Sequence, residues 1–286
     1  MTPTPPSPSR PFAAGRGAAR KTRAREFATR FEALLGPRGE YFEGSGYWNN
    51  GYWETDSRTA REASENLVNR LLAFLPRRSG TILDVACGFG ATTRQLLRHF
   101  DAVNVTGIDI SDTQMEVCRA NAPGCSFLRM DATHLGFPDA SFDVVLCIEA
   151  AFQFDTRHRF LEEARRVLRP GGHLLMSDLL HEPRAEALSR RLHPENYLKD
   201  PASYEALLNK AGFTDVAVVD ATEECWTRST RDKLRYVCRQ HRLGQLDRPT
   251  FNRIMTAGLL GLLSTRYYVL VSAERSSAPA ALEGRA

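Results

Sequence analysis

Between Thr81 and Asp178 the chain alternates short, nearly uninterrupted apolar runs with amphipathic stretches, and few folds satisfy that rhythm. The runs Thr81–Ala86, Ala102–Asp109, Phe142–Ile148 and His173–Asp178 read as strands covered on both faces, of which Val-Val-Leu-Cys-Ile within the third is typical. Ser126–Met130 adds a further strand. Helices are expected over Ala91–Phe100, after Ser111 with Gln114 in a capping box, and over Thr156–Leu168, where Phe160, Leu161, Ala164, Val167 and Leu168 share a face. Strand–helix alternation of this length calls for an α/β, Rossmann-like, doubly wound and mostly parallel sheet. A helix over Pro201–Ala211, capped by Asp200, and strands Asp215–Asp220 and Tyr267–Ala273 bring the sheet to seven strands.

Around this body the sequence sets further segments. Residues 1–21 form a basic, Pro-rich head expected to be disordered, and 276–286 a disordered tail. Residues 22–57 are a cap or lid: a helix over Thr22–Leu35, then a loop rich in Gly, Tyr and Trp. Residues 58–220 and 266–275 make the Rossmann-like domain, opened by a helix with Ala60, Ala63, Leu67 and Leu71 at helical spacing and Thr59 with Glu62 as its capping box. The insertion Ala221–Thr265 carries two helical patterns and is too long for a hairpin loop, so it reads as a second part of the cap.

Charge narrows the partners. The formal net charge is +4, yet residues 1–30 hold seven Arg or Lys against Glu26 alone, leaving the rest slightly acidic. Nucleic acid is therefore not an expected partner of the body. No apolar run approaches the roughly 18 residues that span a bilayer, and the head lacks the apolar core of a secretory signal. Six cysteines without C-x-x-C or zinc spacing point to reduced thiols, a cytoplasmic location and no metal. No feature sets an oligomeric state.

The chemistry centres on Asp84-Val-Ala-Cys-Gly-Phe-Gly90, at the turn from the first strand into its helix. Gly88 and Gly90 let the backbone approach a ligand that a β-carbon would exclude. A nicotinamide dinucleotide would want a third glycine where Thr93 stands, and has no use for Asp84. A carboxylate suits the ammonium of S-adenosylmethionine instead, and Asp109, at the end of the second strand, is placed to accept both ribose hydroxyls. Plainer alternatives are a structural role for Asp84 on loop amides, capping for Gln114 and a turn aspartate at Asp131.

The runs Ile82–Gly90, Met130-Asp-Ala132, Ser141-Phe-Asp-Val-Val-Leu and Val167–Leu174, with Asp109, together resemble class I S-adenosylmethionine-dependent methyltransferases over about residues 55–220. Gly46-Tyr-Trp-Asn-Asn-Gly-Tyr-Trp53 resembles the aromatic lead-in of the small-molecule members that act on quinones, sugars and natural products. The resemblance implies Ala86, Gly88 and Gly90 along the cofactor, Asp109 on its ribose, Ile110 against adenine, and Asp131 and Ala132 at the adenine edge. Gln114 and Tyr52 join the expected cofactor set, Tyr52 as part of an aromatic lid.

Substrate groups are expected beyond the carboxyl ends of the strands: Glu149, Gln153 and His158 after the fourth, Asp178 and His181 after the fifth. Asp178 is the preferred base. In sugar O-methyltransferases of the family an acid at this position works with histidines after the fourth strand; here that stretch reads Ala150-Ala-Phe-Gln-Phe154, leaving His181 as the substitute. The expected function is methylation of a small molecule at oxygen in natural-product biosynthesis, releasing S-adenosylhomocysteine. The alternatives are C- or N-methylation of an isoprenoid, quinone or amine, then a nucleic-acid or protein methyltransferase, a cofactor-binding protein without turnover, and an NAD-dependent oxidoreductase.

Overall fold

The computed structural model describes residues 34–36, 39–183 and 194–277. The head at 1–21, most of the helix expected over Thr22–Leu35, and nearly all of the tail lie outside them. Seven strands, β1 (Ile82–Val85), β2 (Val105–Asp109), β3 (Ser126–Arg129), β4 (Phe142–Ile148), β5 (Leu168–His181), β6 (Phe213–Asp220) and β7 (Thr265–Arg275), form one sheet in the order β3-β2-β1-β4-β5-β7-β6. All pairings are parallel except those of β7, which runs antiparallel to both β5 and β6. The expected doubly wound, mostly parallel α/β sheet is what the chain forms.

Alternation along the strands sends side chains to two cores. Leu83 and Val85 face one with Phe160, Leu161, Tyr204 and Leu208, from helices α4 (Arg157–Val167) and α5 (Pro201–Lys210). Ile82 faces the other with Leu67, Leu71 and Leu96, from α1 (Ala60–Leu72) and α2 (Ala91–Leu96). Between them in sequence, α3 (Asp112–Asn121) buries Met115 and Cys118.

Element ends moved where pairing or caps decided them. The fifth strand extends well beyond His173–Asp178 because it pairs with β4 on one side and β7 on the other. The first stops at Val85 because Ala86 takes φ = 57°. Thr59 caps α1 by accepting from Glu62 N, while the Glu62 carboxylate accepts from Arg58 N and not from Thr59 N as a full capping box would have it. The predicted Ser111 cap makes no side-chain hydrogen bond, and the Ser111 N–H goes to Asp109 Oδ1 rather than to Gln114.

After β6 the chain makes a short π-helix (Thr222–Thr227), then α6 (Arg228–Arg242) and α7 (Arg248–Ser264), the latter capped by Asp247. Residues 39–57 lie between these helices and the body. Tyr52 N donates to Ala63 O, Trp53 N to Glu224 O, and Arg228 Nη1 to Trp53 O. Tyr47 Oη donates to Gln95 Oε1 at 2.6 Å. Lid, cap and body therefore meet over the carboxyl ends of the strands, where open α/β sheets bind ligands. Among the described residues, no helix is long and apolar enough to cross a membrane.

Candidate active site

A cavity of about 450 Å³ opens at the carboxyl ends of β1, β2 and β4. One wall is the turn after β1, where Ala86 (φ 57°), Gly88 (φ 56°) and Gly90 (φ 76°) all adopt left-handed backbone. A β-carbon at Gly90 would stand 3.1 Å from the Cα of Cys118, so α3 packs directly on this turn. A β-carbon at Gly88 would meet nothing within 4 Å, because that side of the turn faces the cavity. The glycine there leaves room for a ligand rather than for protein.

Several polar groups line the space. Asp84 is 2% exposed and takes a hydrogen bond from Thr93 Oγ1 at 2.6 Å. Burial pushes its carboxyl up to about 7, against that hydrogen bond and with help from the charge of Asp109. Asp109 accepts from Gly88 N (3.1 Å) and Ser111 N (3.0 Å). With its amide oriented to satisfy its neighbours, Gln114 donates to both Asp109 oxygens, at 2.8 and 3.1 Å. Asn49 of the lid lines the cavity too, and its Oδ1 is buried with no hydrogen-bond partner among the described residues. An orphan acceptor, a buried carboxylate and a pre-oriented carboxylate at the strand end suit a ligand with an ammonium at one end and a diol farther along.

The remaining expected cofactor residues distribute unevenly. Asp84, Ala86, Gly88, Asp109 and Gln114 converge on the cavity. Asp131 is exposed and accepts from Thr133 N and Oγ1 in a local turn, Ala132 is buried in the core, and Ile110 is 68% exposed beside the strand end. Tyr52 does not reach the cavity: its ring packs on the second core, with the Arg70 guanidinium over it at 5.7 Å. The lid aromatics that do reach it are Tyr47 and Trp48, because the backbone bond from Tyr52 to α1 turns the end of the aromatic run inward.

The expected base also changes. Asp178 is completely buried and satisfied by four donors: Arg157 Nε (2.7 Å), Tyr204 Oη (2.8 Å), Leu179 N (2.9 Å) and Phe152 N (3.1 Å). Arg157, itself 2% exposed, continues to the carbonyls of Asn196 and Leu179. A carboxylate with its lone pairs occupied by a buried guanidinium and three further donors is a fixed structural centre, not a proton acceptor for substrate. His181 does not line the cavity either. Its ring sits edge-on to Phe152 at 5.4 Å, and burial together with the Arg157 charge holds its pKa below the usual histidine value. His158 lies on the outer face of α4, 3.4 Å from Glu162.

Glu149 does line the cavity. It follows β4 with φ = 50°. Oε1 accepts from Asn50 N (2.6 Å) and Tyr268 Oη (2.8 Å), and Oε2 accepts from Asn50 Nδ2 (2.7 Å). That occupies both acceptor positions on Oε1 and one on Oε2, leaving one position open. Burial raises the Glu149 pKa, opposed by the Asn50 and Tyr268 hydrogen bonds and the charge of Lys233. Asn50, Tyr268 and Lys233 were invisible in the sequence as site residues: they come from the lid, an antiparallel strand and a cap helix.

The fold and the cavity define a protein with a ligand-sized space against the first β-α turn of a doubly wound sheet. Comparison with known proteins makes the class specific. A family described as "Methyltransferase domain" matches residues 83–176. The 27-O-demethylrifamycin SV methyltransferase of Amycolatopsis mediterranei is 34% identical over 212 residues, spanning 68% of this chain and 78% of its own. O-methyltransferase cnsE of Penicillium expansum is 32% identical over 243 residues, spanning 80% of this chain and 86% of its own. Among solved structures the cyclase SpnF superposes with a TM-score of 0.67 at 20% identity, covering 87% of this chain and 96% of the other, a likeness of fold. The chain belongs to the S-adenosylmethionine-dependent methyltransferases. It is an enzyme, and its cofactor is S-adenosylmethionine.

Proposed function

We propose that the enzyme methylates a hydroxyl oxygen on a small acceptor of the natural-product kind, with Glu149 as the group that takes the hydroxyl proton. The observation that carries this reading is the position of Glu149: a buried carboxylate with one open acceptor site, on the same cavity as the first β-α turn. When bound, S-adenosylmethionine supplies a methyl carbon activated by a sulfonium leaving group. Displacement at such a carbon needs alignment and exclusion of water more than it needs strong acid–base help, though a hydroxyl benefits from a base. Asn50 and Tyr268 fix the Glu149 carboxylate, and its raised pKa brings it nearer to what a proton acceptor from oxygen requires.

In this reading Asp84 and Asn49 hold the cofactor's ammonium end, Ala86 and Gly88 lie along it, and Asp109, oriented by Gln114, takes its ribose hydroxyls. Gly90 keeps the turn closed on α3. Ile110 and the Asp131–Ala132 turn lie beyond the cavity, on the side where the adenine edge would fall. The names of the two relatives support oxygen as the acceptor atom, one being described as acting on a rifamycin and the other simply as an O-methyltransferase. A cytoplasmic location is supported by six free cysteines, and a small-molecule acceptor, as opposed to nucleic acid, by the confinement of the basic excess to residues 1–30.

The test is formation of S-adenosylhomocysteine with a panel of phenolic and aliphatic polyketide alcohols, using wild type and Glu149→Gln. Turnover should fall about 100-fold or more in the variant, with cofactor affinity unchanged. Equal turnover by both would remove Glu149 from the chemistry. Methylation of amines or carbon acceptors in preference to alcohols would replace the reading itself.

A further inference from the structure

A second chamber, of about 220 Å³, lies between the lid and the cap. Trp226, Leu234 and Ile254 supply most of its apolar wall. Gly258 and Gly261 keep it open on the α7 side, since β-carbons there would stand 2.8 Å from Leu234 and 3.5 Å from Trp226. Its polar border includes Asn50 and Lys233, and no carboxylate lines it among the described residues.

The two polar residues tie this chamber to the reaction cavity. Lys233 Nζ donates to Asn50 Oδ1 at 2.7 Å, and Asn50 donates through N and Nδ2 to Glu149. Asn50 lines the chamber and its partner Glu149 lines the cavity, so the pair joins the two spaces. Lys233 has three donor positions and spends one on Asn50. The indole Nε1–H of Trp226, from another wall, is buried and has no acceptor among the described residues. Donors left unmade beside an apolar space are costly, and a ligand that brings acceptor oxygens removes the cost. The pairing of an ammonium with an indole N–H around an apolar volume selects for negative charge on that oxygen.

We propose that this chamber binds the part of the acceptor opposite its methylated hydroxyl, an apolar ring system bearing an ionised oxygen group (a phenolate, enolate or carboxylate), and that Lys233 recognises that group. The proposal rests on the small-molecule O-methyltransferase reading above and narrows its substrate to acidic apolar compounds. The hydroxyl to be methylated then belongs beside Glu149. Lys233 is a specificity residue here and takes no part in the transfer.

The test uses the full chain and two isosteric probes, naphthalene-2-carboxylate and naphthalene-2-carboxamide, with binding followed by calorimetry and by quenching of tryptophan fluorescence. Wild type should hold the carboxylate at least about tenfold more tightly than the carboxamide, a difference of about 1.4 kcal/mol. Lys233→Met should lose the preference and Lys233→Arg should retain it. Equal binding of the probes by wild type, binding of neither, or a preference that survives in Lys233→Met would each overturn the assignment. The wild-type comparison decides even if a variant fails to fold. If the probes bind with the expected preference while no alcohol is methylated, the chamber stands and the O-methyl reading falls.

Discussion

Asp84 is a carboxylate that burial has brought to the edge of neutrality at physiological pH. If it receives the cofactor's ammonium, binding must lower its pKa, and the two events are linked. In the free enzyme, with a pKa of about 7, most of the Asp84 population is protonated at pH 6 and most is ionised at pH 8. Binding should therefore release close to one proton at pH 6 and little at pH 8, with affinity rising by up to about tenfold per pH unit below 7 and levelling above it. Calorimetry in buffers of different ionisation enthalpy reads the proton count directly, and a count near zero at pH 6 would remove Asp84 from the ammonium site. Asp178 calls for the opposite readout. Removing it leaves the buried Arg157 guanidinium uncompensated, so Asp178→Ala should lose about 3–5 kcal/mol of stability. Urea unfolding checks this, and an unchanged midpoint with lost turnover would restore Asp178 as a base. These two acids also mark how far sequence reading reaches at this scale. Asp84 is fixed by local context, since it precedes a glycine turn within the same motif. Asp178 looked catalytic because it ends a strand at the ligand-binding edge, and nothing local announces that Arg157, Tyr204 and two backbone amides converge on it.

Among the elements, those whose geometry is set by period and caps were legible. The seven strands, the helix begun by Thr156 and the helix capped by Asp200 follow from apolar runs and short-range chemistry. The lid was legible only as a composition. Its path depends on long-range bonds such as Asn50 to Glu149, 99 residues away, and Lys233 to Asn50, 183 residues away, and polar loop residues carry no periodic signal of their partners. That is why Tyr52 seemed a cofactor residue and Asn49 and Asn50 were overlooked. One lid position is decisive for the whole segment. Gly51 has φ = 72°, and a β-carbon there would come within 2.7 Å of the backbone carbon of Ala63 in α1. Gly51→Ala cannot relax by moving a flexible side-chain tip, so either the lid lifts or α1 shifts. We expect cofactor affinity to fall at least about tenfold, a loss of about 1.4 kcal/mol, with new protease cleavage between residues 39 and 57. Since the strands of the sheet lie apart from this contact, far-ultraviolet circular dichroism should be nearly unchanged; unaltered affinity and cleavage would mean that the lid does not close the cavity.

At the scale of the whole molecule, the fold narrows the chemistry less than the site does. SpnF, described as a cyclase, shares this architecture over most of the chain, so the sheet alone does not dictate methyl transfer. In this chain body, lid and cap all contribute groups at or next to one cavity: Asp84 and Asp109 from the sheet, Asn49 and Asn50 from the lid, Lys233 from the cap, and Glu149 where they meet. A ligand bound there should stabilise all three parts together. At a cofactor concentration about 100 times its dissociation constant, linkage contributes about 2.7 kcal/mol to the folded state. For a chain of this size that corresponds to a rise in Tm of about 5–10 °C. Scanning fluorimetry with S-adenosylmethionine should show that rise, NADH should show none, and Asp109→Ala should abolish it. Hydrogen exchange measured in parallel locates the effect. Slowed exchange confined to the turn after β1 would mean that lid and cap are bystanders, whereas protection extending to residues 45–53 and into α6 would establish that cofactor binding closes the molecule through the Asn50–Glu149 pair.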